Sequence, residues 1–506
     1  MPDGAGAPAG AAGLDGRRTN PGTLASSTAF LTRPRSSAIL LLAGAGLLFM
    51  TFMRYSLAGI AWVAFAPFLI FLYARGSARR HLALLAVLLA AYVATVSKMA
   101  TSEIPWAPPV PMFAAPLALA YFLALALAGA AHRRLGPRWG IYAFASATVV
   151  IGWVQYTFTP GSSWGILAHT QSDNLSLVQL AALTGVGGIT FLVALGSGLA
   201  AAAYCSGVEA IRADLVLFGI LLGAASLYGQ LRLSHPAPGI PVRIGLVVSP
   251  ITHKEFRGAF DDVDRLRPFD ESLFARTSRA ADLGSQVVVW NEMGTVVSAE
   301  GERSLASRTQ ALAAERKVML LAAYGVVTST HPLGDVNKYR IYLPEGTLAD
   351  EYVKRHPVPG DPDAVGRSHA RIVSFDGVRF TGAICYDYGF PETARDNAID
   401  GADVVLVPSS DWSGIDPEHG RMALMNAVAV GLPMVRPVRA ATSVVSDQYG
   451  RLLGSMRADS LGDGVLVVAV PGRRVPTLYT RTGEVIPLVA LAFCALVLVR
   501  LRRPAA

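Results

Sequence analysis

Long apolar runs limit what this chain can fold into more than any other feature. A helix of about 20 apolar residues crosses the hydrocarbon core of a bilayer, and backbone polar groups within lipid must be satisfied inside the helix. Runs of this kind lie at about 37–53, 56–74, 81–97, 110–131, 139–156, 177–205, 213–230 and 484–500. The sequence therefore predicts a polytopic α-helical membrane domain of about eight spans.

Charged residues are unevenly distributed between two regions. They make up only 16% of the 506 residues, against about 25% in an average soluble protein. They are sparse in residues 36–235, whereas residues 251–400 have the composition of a water-soluble domain. The expected organisation is a disordered cytoplasmic tail (1–36), seven spans (37–232), an extracytoplasmic α/β domain (240–478) and an eighth span with a basic end (484–503).

Arginine positions predict the orientation of the spans, because cytoplasmic loops carry an excess of Lys and Arg. Arginines cluster before the first run, in every second loop and after the last run: Arg17, Arg18, Arg33, Arg35, Arg75, Arg79, Arg80, Arg133, Arg134, Arg138, Arg212, Arg500, Arg502 and Arg503. Both termini are therefore predicted to be cytoplasmic. The net charge of +8 comes from these basic residues beside the apolar runs. It does not indicate nucleic-acid binding, since the basic residues flank apolar runs.

The water-soluble region alternates between strand and helix patterns. Predicted strands lie at 242–248, 287–290, 318–327, 403–410 and 434–439, and predicted helices at 261–283, 302–316, 391–400 and 418–431. Residues 338–356 form a paired region, and Asp376-Gly377 between two apolar segments favours a β-hairpin. Such alternation is typical of layered α/β domains.

Three reactive side chains fall at or near predicted strand ends, where a rigid backbone can position catalytic groups. They are Glu292, Lys354 and Cys385. Each also has a structural interpretation: a helix cap, a solvated strand residue and a small buried hydrophobe. The other cysteines, Cys205 and Cys494, lie in or beside apolar runs, and the three offer no disulfide framework.

The segments VVVWNE, YVKRH and AICYD, in this order, resemble the Glu-Lys-Cys triad of the nitrilase superfamily. That resemblance implies an α-β-β-α sandwich. Eight spans with such a domain before the last one are similar to the apolipoprotein N-acyltransferase family in particular. Further similar segments are SSWGILAHTQ, SSDWSG and YTRTG.

The resemblance implies two-step acyl transfer. Cys385 would be the nucleophile, Glu292 the general base, and Lys354 with the backbone N–H of Tyr386 the oxyanion donors. A membrane phospholipid would donate the acyl group, and the α-amine of S-diacylglyceryl-cysteine in an apolipoprotein would accept it. No metal or other cofactor is expected. Asp387 has a supporting or a purely structural role.

Two tryptophans are candidate substrate contacts, each with a structural alternative. Trp412 lines a substrate pocket or is a core aromatic residue. Trp164 contacts substrate or anchors its loop at the membrane interface.

The sequence departs from the family pattern at two acidic positions. A family run ending Pro-Phe-Gly-Glu is replaced after Lys354 by PVPGDPD (357–363), in which Asp361 is the candidate substitute for the glutamate. A glutamate expected in the 421–430 helix is absent, with Ala429 nearest its place. Two alternatives are a membrane-tethered amidase or other nitrilase-type hydrolase, in which water attacks the thioester, and a catalytically degenerate paralogue that binds lipoproteins. The missing glutamate after Lys354 motivates the second. A channel or transporter would need ionisable residues within the spans, which are nearly lacking.

Overall fold

The computed structural model describes residues 34–102, 104, 109–252, 255, 258, 262–457 and 464–503. The predicted tail therefore lies almost entirely outside the described residues. The helices before the α/β domain are α1 (Pro34–Phe49), α2 (Ala58–Ala61), α3 (Ala66–Ala74), α4 (Ala78–Val96), α5 (Pro109–Leu135), α6 (Pro137–Phe158), α7 (Leu175–Val178), α8 (Ala181–Ser206) and α9 (Arg212–Ser234).

The α/β domain contains strands and helices in alternation. Its strands are β1 (Pro241–Val247), β2 (Val287–Trp290), β3 (Thr295–Ser298), β4 (Met319–Thr330), β5 (Leu333–Tyr342), β6 (Leu348–Val353), β7 (Val373–Phe375), β8 (Val378–Gly382), β9 (Val404–Leu406), β10 (Ser409–Ser410), β11 (Met434–Arg436), β12 (Val438–Arg439), β13 (Thr442–Ser446), β14 (Leu452–Arg457) and β15 (Val465–Pro471). Its helices are α10 (Arg267–Asp282), α11 (Glu302–Arg316), α12 (Pro391–Ile399), α13 (Glu418–Val430) and α14 (Leu478–Thr482), and α15 (Val485–Arg502) follows.

Six helices in the described part of the chain are long and apolar enough to cross a membrane. They contain or lie within α4, α5, α6, α8, α9 and α15. The first two predicted spans correspond to shorter apolar helices, Pro34–Phe49 and Ala58–Ala74, the second interrupted between α2 and α3. The protein is thus a polytopic helical membrane protein, while the count of eight spans and the predicted domain boundaries stay predictions.

The over-long apolar run at 177–205 is divided by a glycine. Gly185 adopts φ +58° inside α8 and kinks this helix. A Cβ atom at this position would lie 2.5 Å from the ring of Tyr479. The absence of a side chain at Gly185 therefore allows α8 to pack directly against the segment that leads into the last helix.

Two sheets form the centre of the α/β domain. The first has the order β15-β1-β2-β4-β5-β6 with β3 paired to β4, and the second has the order β14-β13-β11-β9-β8-β7. Side chains of a strand alternate between its two faces. Accordingly, Val287 and Val289 of β2 lie in the core between the sheets, whereas Val288 and Trp290 pack towards α10 and α11.

The second sheet packs on its outer face against α12, α13 and the membrane helices, in one continuous apolar cluster. Helices thus cover both outer faces, and the predicted α-β-β-α sandwich is confirmed. Strand 287–290 and helix 302–316 have their predicted bounds. One local difference concerns the nucleophile candidate: β8 ends at Gly382, and Cys385 begins a separate 3-10 turn, Cys385–Gly389.

Candidate active site

Lys354 follows β6 directly and is nearly excluded from solvent, with 2% of its surface exposed. Its Nζ atom lies 2.8 Å from Oε1 of Glu292 and 3.4 Å from Oδ2 of Asp363. Burial alone lowers the pKa of a lysine, but Glu292 and Asp363 raise the pKa of Lys354 well above its ordinary value. Lys354 is therefore a fixed ammonium group.

Glu292 lies just beyond the carboxyl end of β2. Oε1 of its buried carboxylate accepts a hydrogen bond from Nδ2 of Asn337 (2.7 Å) in addition to the one from Lys354. The neighbouring Asn291 fixes the turn, because its Oδ1 accepts from the backbone N–H of Ser249 (2.7 Å) beyond β1. The ends of two parallel strands thus position the carboxylate.

Cys385 has a strained backbone and a buried thiol. Its φ angle is +48°, in the left-handed region that non-glycine residues rarely adopt. Sγ lies 3.6 Å from the carbonyl oxygen of Ser410 and 3.8 Å from Oδ1 of Asp411. Burial, followed by the charges of Glu292 and Asp411, raises the thiol pKa well above its ordinary value, whereas Lys354 opposes the rise. The resting Cys385 side chain is therefore a neutral thiol.

The structure thus brings the three predicted residues into one buried cluster, since Glu292 and Lys354 are in contact and both charges act on Cys385. Such an arrangement can deprotonate a thiol with the carboxylate and stabilise an oxyanion with the ammonium. Their catalytic roles stay predictions.

Asp387 connects the two halves of this cluster. It is fully buried, and one carboxylate oxygen accepts from Tyr352 OH (2.8 Å) and from the backbone N–H of Ile384 (3.1 Å). The other oxygen accepts from the backbone N–H of His356 (2.7 Å). Asp387 therefore ties the segment on either side of Lys354 to the Cys385 turn.

The carboxylate paired with Lys354 from the following loop is Asp363. Asp361, the candidate substitute from the sequence, acts on Lys354 through its charge, while Asp363 makes the ion pair. Ala429 is buried in α13 and supplies no acid there.

A second buried polar cluster, missed by the sequence analysis, lies on the other side of the thiol. Asp411 accepts hydrogen bonds from Nη2 of Arg436 (2.8 Å), and its Oδ1 lies 2.8 Å from Nδ1 of His419. Burial opposes ionisation of Asp411, but Arg436 and His419 lower its pKa below the ordinary value. A permanent negative charge therefore lies beside Cys385.

The ligand atoms of Cys385, Asp411 and His419 lie within 4.8 Å of one another, a spacing that could hold a metal ion. Nη2 of Arg436, however, contacts Asp411 and also lies 3.1 Å from Nδ1 of His419. The guanidinium already supplies the positive charge at this point, so the donor set does not fit a metal well. Two signals for this cluster were present in the sequence: Arg436 is a charge in the apolar strand segment MVRPVR, and Asp411 lies in the segment SSDWSG.

The Cys385–Gly389 turn is fixed to the membrane part of the chain. Tyr386 OH donates to the carbonyl oxygen of Pro160 (2.8 Å), and Ser163 Oγ donates to the carbonyl oxygen of Gly389 (2.8 Å). Both partners lie in the loop between α6 and α7. Trp164 of this loop is buried, and its ring centroid lies 5.6 Å from that of His419.

Trp412 makes a second connection to the membrane part. Its Nε1 donates to the carbonyl oxygen of Met99 (2.7 Å), just after α4. Trp164 and Trp412 thus both lie at the junction of the two parts, and their contact with substrate stays a prediction.

The sandwich and the buried Glu-Lys-Cys cluster place the α/β domain in the nitrilase superfamily. Residues 266–477 match the family model described as carbon-nitrogen hydrolase. Residues 44–199 match the model of the apolipoprotein N-acyltransferase N-terminal domain. The chain therefore belongs to the apolipoprotein N-acyltransferase family, and it is an acyltransferase.

Relatives of the same name cover most of the chain. The apolipoprotein N-acyltransferase of Geobacter metallireducens is 26% identical over 510 residues, which cover 92% of this chain and 95% of that protein. The one from Brucella melitensis biotype 1 is 25% identical over 408 residues, covering 73% and 75%. A solved structure of an amidase from Nesterenkonia sp. is 22% identical, with a TM-score of 0.37, and covers 49% of this chain and 96% of that one.

Proposed function

We propose that this protein transfers a fatty acyl group from a membrane phospholipid to the α-amine of S-diacylglyceryl-cysteine in apolipoproteins. The observation that carries the proposal is the position of the buried Cys385, Glu292 and Lys354 cluster at the junction with the membrane helices. The relatives' shared name indicates the acceptor. Both substrates are anchored in lipid, so an enzyme in the same bilayer meets them at a high effective concentration.

In the first step Cys385 attacks the ester carbonyl of the phospholipid. Glu292 takes the thiol proton as the sulfur–carbon bond forms. Lys354 and the backbone N–H of Tyr386 stabilise the oxyanion. The intermediate collapses with loss of the lysophospholipid alkoxide, which takes the proton back from Glu292. The product is an S-acyl thioester on Cys385.

In the second step the acceptor amine attacks the thioester. Glu292 takes a proton from the attacking amine, the same two donors hold the new oxyanion, and the carbon–sulfur bond breaks. The leaving thiolate of Cys385 recovers the proton from Glu292, and the product is an amide. Because Oε1 of Glu292 is occupied by Lys354 and Asn337, the proton moves through Oε2.

The proposal includes an orientation. Arginines in alternate loops favour cytoplasmic termini in a bacterial inner membrane, with the catalytic domain on the opposite side. Trp164 and Trp412 lie at the junction that the lipid substrates must reach, which favours them as substrate contacts. Asp387 and Tyr386 then support the site by holding the nucleophile turn.

A membrane-tethered hydrolase is the second candidate, favoured by the carbon-nitrogen hydrolase match of residues 266–477. It would use the same thioester with water as the attacking group. The two functions differ only in the fate of the acyl-enzyme.

Full-length protein in phospholipid vesicles with a fluorescent acyl chain separates these possibilities. We expect the acyl label to appear on the wild type and on Cys205→Ala, to be absent from Cys385→Ala, and to move to a synthetic diacylglyceryl lipopeptide when this is added. Release of free fatty acid without the lipopeptide would support the hydrolase instead. A labelled Cys385→Ala variant would refute the assigned nucleophile.

A further inference from the structure

We propose that Asp335 and Asp363 share one proton as an acid–carboxylate pair and that this pair positions the ammonium group of Lys354. The inference rests on the proposed function, since it assigns a positioning role within that acyl-transfer site. Nothing in the sequence pattern singled out Asp335, which lies just before the predicted paired region (338–356).

Asp335 of β5 is buried without a conventional partner. Only 2% of its surface is exposed, and neither carboxylate oxygen accepts a hydrogen bond from a nitrogen or hydroxyl group of the described residues. An isolated ionised carboxylate is very costly to bury. The side chain therefore needs either a cation or a proton of its own.

Asp363 supplies the acceptor for that proton. The backbones of Asp335 and Asp363 form a parallel β-bridge, and the N–H of Ala364 donates to the carbonyl oxygen of Asp335 (2.8 Å). This bridge places the two residues side by side, where their carboxyl groups interact directly. Two carboxyl groups that share a site cannot both ionise readily, so one of them keeps its proton.

The charges around the pair indicate which group is protonated. Asp363 has two donors, because its Oδ2 faces Lys354 Nζ (3.4 Å) and accepts from Asn337 Nδ2 (3.2 Å). Burial and then the charge of Asp363 raise the pKa of Asp335 to about 8, Asp361 acts in the same direction, and Lys354 opposes it. Asp335 is therefore the acid at neutral pH, and Asp363 is the carboxylate.

The shared proton limits the negative charge that acts on Lys354. Glu292 and Asp363 already pair with its ammonium group. Ionisation of Asp335 adds another negative charge that acts on Lys354 and holds the ammonium more tightly between carboxylates. Lys354 then donates less effectively to the oxyanion, so acyl-enzyme formation should fall as the pH rises through about 8.

The test uses the full-length protein in detergent and the variant Asp335→Asn, which keeps a donor for Asp363 but cannot ionise. The matched control is Asp350→Asn, a buried aspartate of β6 that has its own donors in Tyr339 OH and the backbone N–H of Arg371. Infrared difference spectra between pH 7 and pH 9 report protonated carboxyl groups without any substrate. Acyl-enzyme formation is measured over the same pH range.

We expect a carboxylic acid band in the wild type that is lost near pH 8, kept in Asp350→Asn and absent from Asp335→Asn. The alkaline fall in acyl-enzyme formation should also disappear only in Asp335→Asn. A second variant, Asp363→Asn, removes the charge that raises the Asp335 pKa, so the band should vanish at lower pH. An unchanged band and pH profile in folded Asp335→Asn would overturn the inference. A band without any acyl transfer would instead count against the proposed function alone.

Discussion

Replacing Asp411 by Asn should make the Cys385 thiol more acidic. Oδ1 of Asp411 lies 3.8 Å from Sγ. At an effective dielectric constant of about 20, two unit charges at this separation interact by about 4 kcal/mol. Because a tenfold change in an acid dissociation constant corresponds to roughly 1.4 kcal/mol, the upper limit is about a thousandfold. Arg436 and His419 screen the Asp411 charge and reduce this effect.

Alkylation by iodoacetamide measures the change, with Cys205 and Cys494 replaced by Ala in every variant. The thiolate fraction rises with acidity, but the nucleophilicity of a thiolate falls with its pKa, by roughly half on a logarithmic scale. The alkylation rate at pH 7 should therefore rise about 3-fold to 30-fold in Asp411→Asn. Its pH dependence should move to lower pH.

The matched control is Asp403→Asn, which neutralises a largely buried, arginine-paired carboxylate at the opposite end of β9. This control should alkylate at the wild-type rate. If folded Asp411→Asn reacts at the wild-type rate or more slowly, the Asp411 charge does not oppose thiolate formation, and the electrostatic account of the resting thiol is wrong.

Two further substitutions test the ammonium group and the attachment of the last helix. Lys354→Met removes the proposed oxyanion donor and should lower the rate of acyl-enzyme formation by about 100-fold to 1,000-fold. Single-turnover labelling at saturating phospholipid measures this rate. A wild-type rate in the variant would exclude the proposed role of Lys354. Glu484→Gln weakens the hydrogen bonds from Tyr156 OH (2.7 Å) and Tyr479 OH (2.5 Å). Glu484→Gln should lower the free energy of unfolding by about 1–3 kcal/mol and lower the thermal unfolding temperature in detergent, whereas Glu209→Gln at an exposed position should do neither. Equal unfolding temperatures for Glu484→Gln and the wild type would contradict this.

The sequence predicted those strands and helices whose positions are determined by the local pattern of apolar residues. The apolar run at 287–290 is fully buried on both faces, so its end, and with it Glu292, could be located directly. Strands β13 and β14 were missed. In β14 no residue is buried, so this strand has no buried apolar face. Strand β15 pairs with β1, far away along the chain, and such pairing has no local signal.

The surroundings of the site depended on tertiary contacts that spacing does not encode. Whether Asp361 or Asp363 faces Lys354 is decided by the bridge between Asp335 and Asp363, which no count of residues in the loop could give. The interaction of Asp411, just after β10, with Arg436 at the end of β11 is likewise a tertiary contact. The sequence therefore predicted the reactive groups but not the charges that tune them.

The two hydrogen bonds that fix the Cys385–Gly389 turn to the loop between α6 and α7 have a consequence for substrate delivery. Because Pro160 and Ser163 hold both sides of this turn, the sulfur atom stays at a fixed position relative to the loop between α6 and α7. It cannot swing out to collect a lipid. If the proposed two-step acyl transfer holds, donor and acceptor must diffuse laterally to the same point in succession, and the first product has to leave before the second substrate binds.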